Sequence, residues 1–144
     1  LFMQGCPMRC IYCHNPDTWE RQESQLTDAE ELAARLLRFY SFIKNGGVTF
    51  SGGEPFAQPE GFAKLAKLLK GKGYEVASYS GYTFEQLLHG TPAHRTLLEN
   101  IDILIDGPFV QAEKSLEIAF RGSRNQRIIN VQESLQGTLQ LEEV

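Results

Sequence analysis

Leu1-Phe2-Met3-Gln4-Gly5-Cys6-Pro7-Met8-Arg9-Cys10-Ile11-Tyr12-Cys13-His14 holds every cysteine of the chain. The apolar run Leu1 to Met3 reads as the end of a strand, and the cysteines follow in one short loop as Cys-x3-Cys-x2-Cys. Three thiolates this close suit a four-iron cluster with one iron left unligated, whereas clusters that only carry electrons usually take four protein ligands. An open position lets a metal centre bind and activate a reactant, as in catalytic zinc sites. A disulfide framework fits badly, because three cysteines leave one unpaired. A structural zinc site made by Cys6, Cys10, Cys13 and His14 is the better rival. The adjacent Cys13 and His14 would have difficulty turning both side chains onto one tetrahedral ion.

Outward from this loop the chain alternates helix and strand. Thr27-Asp28 caps a predicted helix carrying Leu32, Leu36, Leu37, Phe39 and Tyr40 at helical spacing, ended by Asn45-Gly46-Gly47. Val48 to Phe50 reads as a strand. Pro59 opens a second helix, with Phe62, Leu65, Leu68 and Leu69 on one face and Lys64, Lys67 and Lys70 mostly on the other. Gly71 and Gly73 stop it. A strand follows around Tyr74 to Tyr79, then helical pieces from Thr83 to His89 and from Pro92 to Leu98. Ile101 to Ile105, apolar apart from Asp102, has the pattern of a strand buried on both faces of a parallel sheet. The βαβα order predicts an α/β fold with right-handed crossovers, and a ligand site at the carboxyl ends of the strands.

The marked residues fall at those ends. Ser51-Gly52-Gly53-Glu54-Pro55 follows the second strand: paired glycines allow close approach to the backbone, and the carboxylate can accept from an ammonium. Ser80-Gly81-Tyr82 follows the third strand and Asp106-Gly107 the fourth.

Composition sets the class. The 42% hydrophobic and 22% charged content is that of an ordinary globular protein, and 144 residues make one domain, 1–144. A net charge of −4 argues against general affinity for nucleic acid or anionic membrane, and no apolar stretch is long enough to span a bilayer. The expectation is a cytoplasmic domain in a reducing setting. The first residue is not methionine, so a short segment before the first strand is expected to be missing.

The cysteine spacing, with Tyr12 as the aromatic residue before the third cysteine, and Gly52-Gly53-Glu54 about forty residues later resemble the signature of the radical S-adenosylmethionine (SAM) enzymes. The resemblance implies a partial (βα) barrel, a mostly parallel sheet with helices outside. It implies a 4Fe–4S cluster on Cys6, Cys10 and Cys13, which are then the catalytic residues. The fourth iron chelates SAM, and reductive cleavage of the C–S bond gives a 5′-deoxyadenosyl radical. Tyr12, His14, Gly52, Gly53, Glu54, Ser80 and Asp106 are the residues expected around SAM. Glu54 is set at its amino group, and Asp106 has a second reading as a turn former.

Finer resemblances point to the glycyl-radical-enzyme activases. The opening "QGCPMRCIYCHNPDTW" looks like pyruvate formate-lyase activases. "YSGYTFEQLL", "IDILIDGPFV" and "FRGSRNQRIINVQ" look more like the activases of anaerobic ribonucleoside-triphosphate reductase, and the short length favours those. The partners implied are a glycyl radical enzyme, as protein substrate, and a flavodoxin- or ferredoxin-type electron donor. Ser78 stands where lyase activases carry an aspartate, and their lysine after the fourth strand is replaced near Pro108. The competing readings are a radical SAM enzyme acting on a small molecule or peptide, and a zinc-binding interaction module. His89 and His94 are expected on helix surfaces, and Trp19 beneath the cysteine loop. Arg121, Arg124 and Arg127 are read as a solvated basic loop or a docking patch for an acidic partner.

Overall fold

The computed structural model describes residues 1–10, 13, 15–23, 26–41 and 46–143. Asn45, expected in the first helix stop, lies outside them. Six strands form one sheet in the order β1 to β6: Phe2–Met3, Gly47–Gly52, Glu75–Tyr79, Ile103–Asp106, Arg127–Asn130 and Gln140–Leu141. The first three pairings are parallel, with Phe2 opposite Ser51, Val48 opposite Val76 and Ser78 opposite Leu104. The last two are antiparallel, so the sheet is mixed towards its C-terminal edge. The expectation of an α/β, mostly parallel partial barrel holds. The antiparallel return through β5 and β6 was not foreseen.

Helices α1 (Ala29–Leu37), α2 (Pro59–Gly71), α3 (Phe84–Leu88) and α4 (Pro92–Glu99) connect the parallel strands, and α5 (Val131–Ser134) follows β5. Asp28 caps α1 by accepting from the Glu30 N–H at 3.0 Å. That helix stops at Leu37, short of the expected Phe39 and Tyr40, both of which are exposed. Tyr40 instead packs edge-on against Tyr74. Thr83 and Thr91 close capping boxes on α3 and α4.

Strand alternation sends Val48, Phe50, Val76, Leu104 and Ile129 into one core with Leu65, Ala66, Leu69, Leu97 and Leu98 of α2 and α4. The other face of the sheet carries Thr49, Ala77, Tyr79 and Ile103, none of them buried. Ile105 and Ile128 are buried there but lie outside the helical core. The helices therefore cover one face only, and the fourth strand begins at Ile103, with Ile101 buried ahead of it.

Asp102, the polar exception in that stretch, joins three elements. It accepts from Lys70 Nζ at 2.5 Å and from the Val76 N–H at 2.9 Å, and its carbonyl accepts from Val131 N–H. Lys70 thus leaves the solvent face where its periodicity placed it. The core predicts its own sensitivity: Leu69→Ala, at a fully buried side chain, should lower unfolding free energy by about 3 kcal/mol in urea titration.

Candidate functional site

The rim at the carboxyl ends of β1 to β3 is assembled by backbone approach. Gly53 N–H donates to Met3 O at 2.8 Å and Glu54 N–H to Gly5 O at 3.4 Å, which continues the β1–β2 pairing beyond both strands. Gly52 has φ +95°, and a Cβ there would stand 2.9 Å from Met3 N. A Cβ on Gly53 would stand 3.0 Å from Met3 O and 3.1 Å from Gly5 O. The close approach expected of a ligand at these glycines is made by the chain's own first strand. Its consequence is that Glu54 lies beside the entry to the cysteine loop.

That loop is closed at its base by Gly5 N–H to Thr18 O (2.8 Å) and Cys6 N–H to Trp19 O (3.2 Å). Arg9 braces it, donating to Cys6 O (2.5 Å) and Met8 O (3.0 Å) with its guanidinium 4.9 Å from the Trp19 ring centroid. Trp19 flanks the loop as a partly exposed stacking partner. Cys6, Cys10 and Cys13 are all free thiols, and Cys10 is exposed. Burial pushes the Cys6 thiol up; the Met8 N–H opposes this, and Glu54, Cys10 and Cys13 add to the rise. Iron would therefore have to displace its proton. Among the described residues no three His, Cys, Asp or Glu side chains stand close enough to share one ion. A cube offers each thiolate a different iron, so three free thiols in one loop fit it without meeting at a point. Tyr12 and His14 lie outside the described residues.

Glu54 is 3% exposed and caps the 3-10 turn Pro55–Ala57. Its Oε1 accepts from Phe56 N–H (3.1 Å) and Ser80 Oγ (2.8 Å), and its Oε2 accepts from Gly81 N–H (2.8 Å). A carboxylate has about four acceptor positions, so among the described residues one is left without a donor, on Oε2. Burial pushes the Glu54 carboxyl above its ordinary value, against the pull of these three donors and of His94. Ser80, an expected site residue, thus acts on the carboxylate, and its Oγ also accepts from Tyr82 N–H.

Asp106 is different. It is 1% exposed and bound twice by Arg127, Oδ1 to Nε at 3.0 Å and Oδ2 to Nη2 at 2.5 Å, while Oδ2 also accepts from Phe84 N–H at 2.7 Å. Besides the two roles expected of it, Asp106 is the buried member of an ion pair with the partly exposed Arg127. Arg127 also grips Glu85, so it does not belong to a free basic loop; its two carboxylate partners push its pKa up. Arg124 remains exposed, 3.8 Å from Glu117. His89 is exposed as expected, but His94 is not a simple surface residue. It joins Cys6, Tyr82, Phe56 and Gln58 around an open groove of about 690 Å³. Thr91 at the helix cap, three residues before it, was the available signal for its placement.

The family described as the 4Fe–4S single cluster domain matches residues 1–129. The chain belongs to that family. Pyruvate formate-lyase-activating enzymes are among its relatives. That of Clostridium pasteurianum is 41% identical over 108 residues, covering 71% of this chain and 45% of the relative. Those of Staphylococcus epidermidis and Staphylococcus aureus are 33% and 34% identical over 137 and 138 residues, covering 90% of this chain and 53% of each relative. The chain spans about half the length of these curated relatives. The recognition as radical SAM stands with these matches, as do the two cofactors expected, a 4Fe–4S cluster and SAM. The lean towards a reductase activase gains no support from them. No helix among the described residues is long and apolar enough to cross a membrane.

Two expectations separate the rim's carboxylates. A folded-state pKa of Glu54 above its ordinary 4.5 means the folded protein binds the extra proton. Its contribution to stability should fall as pH rises from that ordinary value through the raised one. Glu54→Gln should remove that slope in a stability-versus-pH series. Arg127→Met, which strands a buried Asp106, should cost about 3 kcal/mol in denaturant titration while leaving SAM affinity of the folded protein unchanged.

Proposed function

We propose that the chain acts in a radical SAM activase that generates a glycyl radical on a partner enzyme of the pyruvate formate-lyase type. The observation that carries this reading is the register setting Glu54 beside Cys6, with one acceptor position of a buried carboxylate unclaimed among the described residues. Cys6, Cys10 and Cys13 would hold the cluster and leave one iron open. Glu54 would take the SAM ammonium, a charge-assisted hydrogen bond in a site of low dielectric. Ser80, Gly81 and Phe56 keep the carboxylate from turning away. Gly52 and Gly53 act by letting the two loops approach. When bound and reduced, the cluster would supply the electron that splits SAM into methionine and a 5′-deoxyadenosyl radical, and hydrogen taken from a glycine Cα would give 5′-deoxyadenosine and the glycyl radical.

The partner is the finer part of the proposal. The relatives' names favour a pyruvate formate-lyase-type partner over anaerobic ribonucleoside-triphosphate reductase. The short length, which favoured the reductase, carries no weight in a chain spanning about half of those relatives. A sheet face free of helices suits a substrate that is itself a peptide loop. A flavodoxin- or ferredoxin-type protein is the proposed electron donor.

Anaerobic protein reconstituted with iron and sulfide should yield 5′-deoxyadenosine from SAM and dithionite. Cys6→Ala, Cys10→Ala and Cys13→Ala should each abolish it. Added to pyruvate formate-lyase and, separately, to the anaerobic reductase, it should raise a glycyl radical signal by electron paramagnetic resonance on the lyase. A signal only on the reductase would reverse the choice of partner, and no 5′-deoxyadenosine from an intact cluster would overturn the activity.

A further inference from the structure

His94 sits one turn into α4, far in sequence from Glu54, yet two hydrogen bonds connect them. Its Nδ1 accepts from the Thr91 N–H at 3.3 Å, and its Nε2 lies 2.9 Å from Phe56 O. An amide N–H can only donate and a carbonyl can only accept, so the neutral ring carries its proton on Nε2 and donates it to Phe56. The same residue's N–H donates to Glu54 Oε1 at 3.1 Å. Phe56, fully buried, is therefore held at both of its backbone polar groups, in the two peptide planes that flank its Cα: the imidazole on its carbonyl and the carboxylate on its amide. The ring is seated by Phe56 and Tyr82, with centroids 6.1 and 6.4 Å away. Gly90 leaves it room, since a Cβ there would stand 2.5 Å from Nδ1.

We infer that His94 is a positioning residue for SAM: through Phe56 it fixes the turn that aims the Glu54 carboxylate at the cofactor's ammonium. This rests on the function proposed above. The sequence assigns α4 to the outer layer, and the hydrogen bonds make it a support of the cofactor site. Imidazole suits the task because it spans from a helix cap to a carbonyl across an interface and donates in one direction only. The expected effect of losing it is on the direction of the Glu54 carboxylate.

The test compares His94→Phe, which keeps the ring and loses both bonds, with His94→Gln, whose amide can still donate to Phe56 O. SAM affinity is read from titration of the reduced cluster by electron paramagnetic resonance, beside iron content and thermal unfolding. His94→Phe should bind SAM about fivefold more weakly, the worth of one ordinary hydrogen bond, at unchanged iron content. His94→Gln should recover most of the loss. Should His94→Phe fail to hold the cluster, His94→Asn, polar but too short to reach Phe56, takes its place with the same expectation. Unchanged affinity in the Phe or Asn variant overturns the inference, as does equal weakening in the Gln variant. Wild-type protein that carries a cluster yet binds no SAM overturns this inference and the proposed function together; normal wild-type binding with an unaffected variant overturns this inference alone.

Discussion

The rim exists because two stretches of backbone pass closer than side chains would permit. Ser51 N–H donates to Leu1 O and Gly53 N–H to Met3 O, and at Gly52 and Gly53 the absent Cβ atoms are replaced by backbone of the opposite strand. Parallel pairing is slanted and slightly less stable per residue than antiparallel, and a two-residue strand such as β1 has few bonds with which to hold its place. The extension through Gly53 and Glu54 lengthens that ladder at the point where the cysteine loop begins. Cys6 and Glu54, forty-eight positions apart, share a rim as a result.

Two nearly buried carboxylates then meet different fates. Asp106 faces a guanidinium in bidentate geometry, so its charge is matched within the protein. Among the described residues Glu54 is held by neutral hydrogen-bond donors. Dipoles solvate a carboxylate without cancelling it, and desolvation still pushes its pKa up. A cationic group arriving at Oε2 would relieve that penalty. The distinction between the two, at nearly equal burial, is one of partner charge.

Much of this was legible in the sequence, for physical reasons. The cysteine loop and the Gly-Gly-Glu segment carry their chemistry in residue type and local spacing, and α2 and α4 announce themselves through Pro59, Pro92 and period-3.6 leucines. What stayed hidden depends on long-range pairing. Neither the Arg127–Asp106 bridge, twenty-one residues apart, nor the Lys70–Asp102 pair has a local signature. Arg127 read as a member of a basic run because Arg121 and Arg124 stand near it. The antiparallel return was hidden likewise: Arg127–Asn130 is four residues, polar at both ends, and identifiable as a strand only from its pairing with β4. Phe39 and Tyr40 kept a helical period beyond the helix end, where periodicity alone cannot see the stop.

The Arg121 to Gln126 run, which resembles the reductase activases, is committed to its own loop. Gln126 Oε1 accepts from both Gly122 N–H and Ser123 N–H, while its Nε2 donates to Gly107 O. Asn125 donates to Pro108 O, and the fully buried Ser123 accepts from Val110 N–H. Together they staple the twenty residues between β4 and β5 into a folded loop. Its other end is pinned across the open sheet face by Tyr79, whose hydroxyl donates to Phe120 O at 2.7 Å. Phe120 there adopts φ +62°, a conformation an aromatic residue keeps only when its surroundings hold it. Side chains this committed to their own loop are answering a demand of the fold, the antiparallel turn at the end of β4. Any relative that makes the same turn meets the same demand, whatever enzyme it activates. The stretch quoted for its likeness to reductase activases therefore has a use within its own loop.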